Sequence, residues 1–188
     1  MKKFWVLCLI SFFITCPVFG CNLTKNQPIT HSDGTIEYDF SKQSQPKASK
    51  ILYKYVLKDL DKTPKEAQDF ANITPKTVSA FETDLNGDGK KEIIGVVFST
   101  YYLCTEGFKL FILEQQNNTT YRDLSGINFL PNEKIYINNN IINDYKEVEA
   151  KCYNNYYRLK GEFVESNIYL FFQNNSYKYN YLKMKTNI

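Results

Sequence analysis

The chain has 188 residues, 43% of them hydrophobic and 23% charged, with a formal net charge of +3 and a single histidine. That length suits one ordinary domain with a substantial core, and the near balance of charge leaves no electrostatic footprint for nucleic acid as a partner. With His31 as the only histidine, Ser-His and Cys-His nucleophile arrangements and multi-histidine zinc sites are nearly excluded.

Met1-Lys2-Lys3 is a short basic start, residues 4–16 form an apolar run, and Pro17 precedes the small residue Gly20. This is the pattern of an export signal over residues 1–20. A membrane span needs about 20 apolar residues, and polar Asn22 to Lys25 follow too soon, which makes the transmembrane reading the weaker one. Val18-Phe19-Gly20-Cys21 resembles the lipobox of bacterial lipoproteins, where signal peptidase II cuts before a cysteine that carries lipid. The resemblance implies lipidation of Cys21 and a membrane partner held through acyl chains alone. An ordinary cleaved signal followed by a chance cysteine is the competing reading. Asn22, at the second mature position, resembles lipoproteins sent to the outer membrane. Loss of residues 1–20 removes Lys2 and Lys3 and no acid, so the net charge falls from +3 to +1.

Cys8 and Cys16 leave with the signal and Cys21 takes lipid, so Cys104 and Cys152 remain. In an oxidising exported compartment these two most simply form a disulfide. A loop of that length stabilises a fold by about 4 kcal/mol in the chain-entropy account. Two buried thiols, or a reactive Cys104, are the alternatives.

Residues 21–46 are polar, with Pro28 and Pro46, and read as a tether between the lipid and the domain. Within them, residues 35–40 alternate apolar and polar, so part of the tether is a candidate edge strand. From 47 to 60, Ile51, Leu52, Tyr55, Val56 and Leu60 recur at helical spacing opposite Lys50, Lys54 and Lys58, which predicts an amphipathic helix. Thr63-Pro64-Lys65-Glu66 is a capping box with proline at the first helical position, and predicts a short helix to Ala71 burying Ala67 and Phe70.

After Pro75 the pattern becomes strand-like. Strands are predicted at 77–83, 92–100, 108–114, 119–124, 134–137, 145–151, 156–163, 168–172 and 177–181, with Asn-rich turns at 138–140, 154–155 and 174–175. The apolar density of 92–100 and 108–114 suits strands covered on one face by helix and partly covered on the other. The fold class is α+β over 47–188: N-terminal helices packed on a mainly antiparallel, meander-like sheet.

Between the first two of those strands lies Asp84-Leu85-Asn86-Gly87-Asp88-Gly89-Lys90-Lys91-Glu92. Asp84, Asn86, Asp88 and Glu92 stand at positions one, three, five and nine of an Asp-x-Asn-x-Asp-Gly-x-x-Glu pattern, with the Lys90 main-chain carbonyl at position seven. An EF-hand needs glutamate at position twelve, where this chain has Gly95. The loop is similar to the strand-flanked calcium loops of FG-GAP repeats and, in its first six positions, to dockerin loops. That resemblance implies a bound Ca2+ with a structural role. It covers one copy only, so the propeller that goes with FG-GAP repeats is not implied. A polar turn between two strands is the plain reading of the same residues, although three carboxylates in nine residues repel one another in an empty loop unless Lys90 and Lys91 screen them.

Fifteen tyrosines and fourteen phenylalanines suit either an Asn/Lys/Ile/Tyr-biased composition or an aromatic surface that binds a glycan or a protein. The function expected is a lipid-anchored envelope binding protein with an unidentified protein or glycan partner, an inhibitor or immunity protein of a cell-wall hydrolase being one form. No catalytic residue is assigned. The rival is an envelope hydrolase using a carboxylate pair such as Glu106 with Glu162 or Glu165.

Overall fold

The computed structural model describes residues 27–104, 107–126, 129–130, 133–154 and 164–180. Two strands come first, β1 (Ile29–Thr30) and β2 (Ile36–Asp39), followed by helices α1 (Pro46–Asp59) and α2 (Pro64–Ala71). Next come β3 (Val78–Thr83), β4 (Glu92–Val97), β5 (Leu103–Cys104), β6 (Gly107–Gln115), β7 (Tyr121–Asp123) and β8 (Phe129–Leu130). The chain ends its described course in β9 (Lys134–Ile142), β10 (Tyr145–Asn154), β11 (Val164–Gln173) and β12 (Ser176–Asn180).

These strands make two antiparallel sheets, one in the order β1-β2-β9-β10-β11-β12, the other built on β3-β4-β6 with β5, β7 and β8 each paired to β6. The β3-β4-β6 sheet is the middle of three layers. Alternate residues of each strand point to opposite faces, and here both faces are covered. Val78, Ala80, Ile93, Val97, Phe111 and Leu113 meet Leu52 and Val56 of α1 and Ala67 and Ala71 of α2. Phe81, Ile94, Val96, Leu110 and Ile112 meet Tyr38, Ile135, Ile137, Val148 and Leu170 of the other sheet. Double coverage explains why β4 and β6 are nearly continuous apolar runs.

Helix α1 is fastened to the free edge of β3. Gln45 N–H donates to the Ala80 carbonyl at 2.9 Å, the Ala80 N–H donates to Ser49 Oγ at 3.0 Å, and the Glu82 N–H donates to Gln45 Oε1 at 2.9 Å. Three edge groups of β3 are thereby consumed within the chain. The helix also lies close to the sheet: a Cβ on Gly95 would stand 2.5 Å from the Ser79 carbonyl oxygen and 2.8 Å from Leu52 Cδ2. Helix α2 begins with the predicted capping box, in which Glu66 N–H donates to Thr63 Oγ1 at 3.3 Å and Thr63 N–H to Glu66 Oε2 at 2.8 Å.

The α+β class holds, with corrections. The helices are not N-terminal, since β1 and β2 precede them, and the strands form two sheets rather than one meander. The segment expected as tether contributes β2, which lies inside its sheet between β1 and β9 and puts Tyr38 and Phe40 into the core. Phe70 is 55% exposed rather than buried, because Ala67 and Ala71 are the α2 residues that face the sheet and Phe70 falls to the side. Residues 138–140 are not a turn. They belong to β9, at a register shift opposite Lys146 and Val148, and Asn138 and Asn140 each donate to Glu147 Oε1 at 3.3 Å. The turn is made instead by Asn143 and Asp144, with φ of 52° and 68°, as a two-residue hairpin of that twist requires. The predicted strand at 156–163 lies wholly outside the described residues, and Asn154 of the predicted 154–155 turn is the last residue of β10.

Candidate functional site

The β3–β4 hairpin carries all five residues of the predicted cation loop. Thr83 pairs with Glu92, so residues 84–91 form the connection and Glu92 opens β4. Leu85 is the one large apolar residue in the loop and it is fully buried between the two sheets. Its burial draws the start of the loop onto β10, where Lys146 N–H donates to the Leu85 carbonyl at 2.7 Å and Lys146 Nζ donates to the Asp84 carbonyl at 3.0 Å.

Each oxygen side chain of the loop accepts from the main chain. Asp84 takes the N–H groups of Gly87 at 2.6 Å and Gly89 at 3.2 Å; Asn86 takes Asp88 N–H at 3.1 Å; Asp88 takes Lys90 N–H at 2.7 Å. Glu92 Oε2 takes the Leu85 N–H at 2.8 Å. Gly89, with φ of 81°, permits the reversal that wraps the backbone round these oxygens.

Glu92 is only 2% exposed. Desolvation pushes its carboxyl up to about 7; the Leu85 N–H pulls the other way, and the charges of Asp88 and Asp84 add to the rise. The charge of Glu92 is felt by two buried phenols, Tyr145 and Tyr177. Tyr145 Oη donates to Glu114 Oε1 at 2.7 Å and is pushed up to about 12 by burial and by that acid, while Tyr177 Oη donates to the Lys146 carbonyl at 2.9 Å.

The donors are all oxygen, from two aspartates, an asparagine, a glutamate and the Lys90 carbonyl, which is the chemistry a hard divalent cation takes. Among the described residues, no three His, Cys, Asp or Glu side chains gather closely enough to hold a metal ion as they stand. In this arrangement the carboxylates turn toward their own backbone instead of a common centre. Gly87 to Lys91 are exposed, so the outer part of the loop is unconstrained by packing.

The other sequence-predicted sites are scattered. Cys21 lies outside the described residues. Cys104 is half-buried at the end of β5, and Cys152 stands in β10 opposite Ser166, its side chain outside the described residues. Glu106 and Glu162 also lie outside them, and Glu165 is placed in β11 opposite Tyr153 by backbone alone. His31 Nε2 lies 3.2 Å from Glu37 Oε2, and Lys134 Nζ reaches Glu37 Oε1 at 2.7 Å, an ion-pair cluster across the paired strands β2 and β9. Nothing positive indicates an enzyme.

Two features escaped the sequence reading. Lys146 had no local signal, because it reaches the loop across 62 residues of sequence. Tyr102 is 7% exposed and its hydroxyl is buried with no hydrogen-bond partner among the described residues. Compared with family models, curated proteins and solved structures, the chain matches none of them.

Proposed function

We propose that this chain is an exported, lipid-anchored envelope protein that binds a protein or glycan partner, with a structural calcium site in the β3–β4 loop. The observation that carries the reading is Val18-Phe19-Gly20-Cys21 directly behind a basic and apolar export signal. Because β1 begins at Ile29, only residues 22–28 separate the lipid-bearing cysteine from the first strand. At about 3.3–3.6 Å per residue this span reaches roughly 30 Å, so the domain works beside the bilayer rather than on a long arm. An inhibitor or immunity protein facing a cell-wall hydrolase fits such a position by analogy alone.

Asp84, Asn86, Asp88 and Glu92 would hold calcium through their side chains and Lys90 through its carbonyl. A bound divalent ion supplies positive charge where three carboxylates repel, and it favours the ionised form of Glu92 that burial opposes. With Leu85 seated in the core beside it, the ion would brace the entry to β4. A Cys104–Cys152 disulfide belongs to the same exported reading and predicts an intact mass two hydrogens below that of the reduced chain.

The test of the anchor is metabolic labelling with a palmitate analogue in a bacterial host, comparing the chain with Cys21→Ser. The expected result is label and membrane fractionation that both disappear in the variant. Recovery of unlabelled protein in the soluble periplasmic fraction for both chains would overturn the lipoprotein reading.

A further inference from the structure

Asn86-Gly87 is the only Asn-Gly pair in the chain, and it stands in the β3–β4 loop. An asparagine followed by glycine is open to attack by the next main-chain nitrogen on its own side-chain amide, because glycine has no Cβ to crowd the cyclic imide that results. Gly87 is exposed, with φ of 74°. Among the described residues, no atom beyond its chain neighbours lies within 4 Å of where its Cβ would stand. The nitrogen that would attack is therefore free of packing.

Two contacts of the folded loop bear on that reaction. The Gly87 N–H, whose proton must leave, donates to Asp84 Oδ1 at 2.6 Å. Asn86 Oδ1, where negative charge develops as Cγ is attacked, accepts the Asp88 N–H at 3.1 Å. The first is a carboxylate placed to take a proton, the second a main-chain donor facing a developing oxyanion. Asp84 is itself held in place: its Oδ2 takes the Gly89 N–H at 3.2 Å, and its carbonyl takes Lys146 Nζ at 3.0 Å from the second sheet. The unfolded chain lacks that positioning.

We propose that Asn86 is a self-modification site, converted to aspartate or isoaspartate through a cyclic imide whose formation the folded loop promotes, with Asp84 as the proton acceptor. Gly87 N forms a bond to Asn86 Cγ as its proton passes to Asp84. The Cγ–Nδ2 bond then breaks, and Nδ2 leaves as ammonia carrying that proton. Water opens the imide: cleavage between Gly87 N and Cγ gives aspartate, and cleavage between Gly87 N and the Asn86 main-chain carbon gives isoaspartate. Water is the sole co-reactant. Aspartate adds a carboxylate to Asp84, Asp88 and Glu92, whereas isoaspartate lengthens the main chain by a methylene in the middle of the loop. A bound calcium ion would draw the Asp84 and Asn86 oxygens to itself and slow the conversion, a consequence that rests on the calcium reading; the modification itself does not.

The experiment incubates the full chain, in detergent, at mildly alkaline pH with chelator, and follows Asn86 by peptide mass spectrometry. Exchange of NH for O in the peptide mass marks conversion, and fragmentation separates the two products. The folded wild type is compared with the same chain in urea and with Asp84→Asn, whose fold is checked by its melt. Asn86 should convert ahead of every other asparagine, and faster in the folded chain than in urea. Asp84→Asn should slow the folded rate about tenfold to a hundredfold, up to the low end of what a positioned proton acceptor contributes, and leave the rate in urea unchanged. A folded wild-type rate at or below the rate in urea overturns the proposal. So does an Asp84→Asn chain that converts as fast as the wild type or faster, since Asp84 would then only restrain the loop. Millimolar calcium should slow the folded wild type severalfold; a conversion that depends on Asp84 but ignores calcium overturns the link to the ion and leaves the modification standing.

Discussion

The main-chain N–H of Leu85 donates to Oε2 of Glu92 at 2.8 Å, so one buried apolar residue fixes one buried acid across the mouth of the β3–β4 loop. Leu85 belongs to the core between the sheets, and it carries the loop inward far enough to enclose the carboxylate that follows it in space.

That enclosure sets a pH dependence. The Glu92 carboxyl is pushed from the ordinary 4.5 up to about 7 in the folded state, so the folded chain holds this proton more tightly than the unfolded chain. Its contribution is fully present below pH about 4.5 and is lost as the pH rises toward 7. A shift of that size corresponds to about 3 kcal/mol as an upper bound. In chelator, stability should fall between pH 4.5 and 7, and Glu92→Gln should remove the slope. Glu37, held below the ordinary carboxylate range by the Lys134 ammonium, acts at lower pH and in the opposite sense. Identical slopes for wild type and Glu92→Gln over that interval would refute the account.

Calcium should reverse the penalty at Glu92. A ligand held only by the folded state at a hundred times its Kd stabilises by about 2.7 kcal/mol, or roughly 5–10 °C in Tm for a chain of this size. Thermal melts at pH 7.5 in millimolar calcium and in chelator should therefore separate, and Asp88→Ala should close the gap. Superimposed wild-type melts would reduce residues 84–92 to a hairpin turn.

Gly95 is where α1 meets the middle sheet. A Cβ there would stand 2.5 Å from the Ser79 carbonyl oxygen and 2.6 Å from Ala80 Cβ as well as 2.8 Å from Leu52 Cδ2. Gly95→Ala should cost about 1–3 kcal/mol, read by urea denaturation. Leu52 is flexible at its tip but Ser79 offers backbone, so adding Leu52→Ala should deepen the loss rather than rescue it. Rescue by Leu52→Ala would place the conflict wholly in the helix.

Ser49 Oγ accepts the buried Ala80 N–H at 3.0 Å and meets Ser44 Oγ at 2.5 Å. Ser49→Ala leaves that N–H unmet on the free edge of β3, a loss of about 1–3 kcal/mol. Hydrogen exchange should show faster exchange at Ala80 in the variant, with amides of β9 and β10 unchanged. Unaltered protection at Ala80 would show that the serine does not guard the edge.

The features legible from residue order were those made by neighbours in the chain. The apolar spacing of Leu52 and Val56, the capping box of Thr63 and Glu66, the Asn174-Asn175 turn and the acidic hairpin Asp84 to Glu92 all depend on contacts within a few residues, and each stands where its local chemistry put it. The ion itself was an inference from donor type. What local pattern did not contain was assignment to layers. Ile36 pairs with Ile137, which places β2 inside a sheet rather than at the end of a tether, and that contact closes a loop of about a hundred residues. Phe70 was misread because helical spacing shows which residues share a face but not how wide a stripe the sheet covers; the small Ala67 and Ala71 let α2 sit flat and left the ring outside. Residue order alone thus determined the two helices, the Asn174-Asn175 turn and the position of the acidic β3–β4 hairpin, since those follow from backbone preference and side-chain reach along the chain. Only the tertiary structure decided that Glu92 is buried, that Lys146 braces the loop and that Tyr102 is buried beside the exposed Tyr101, because burial is set by which distant strands supply the second face.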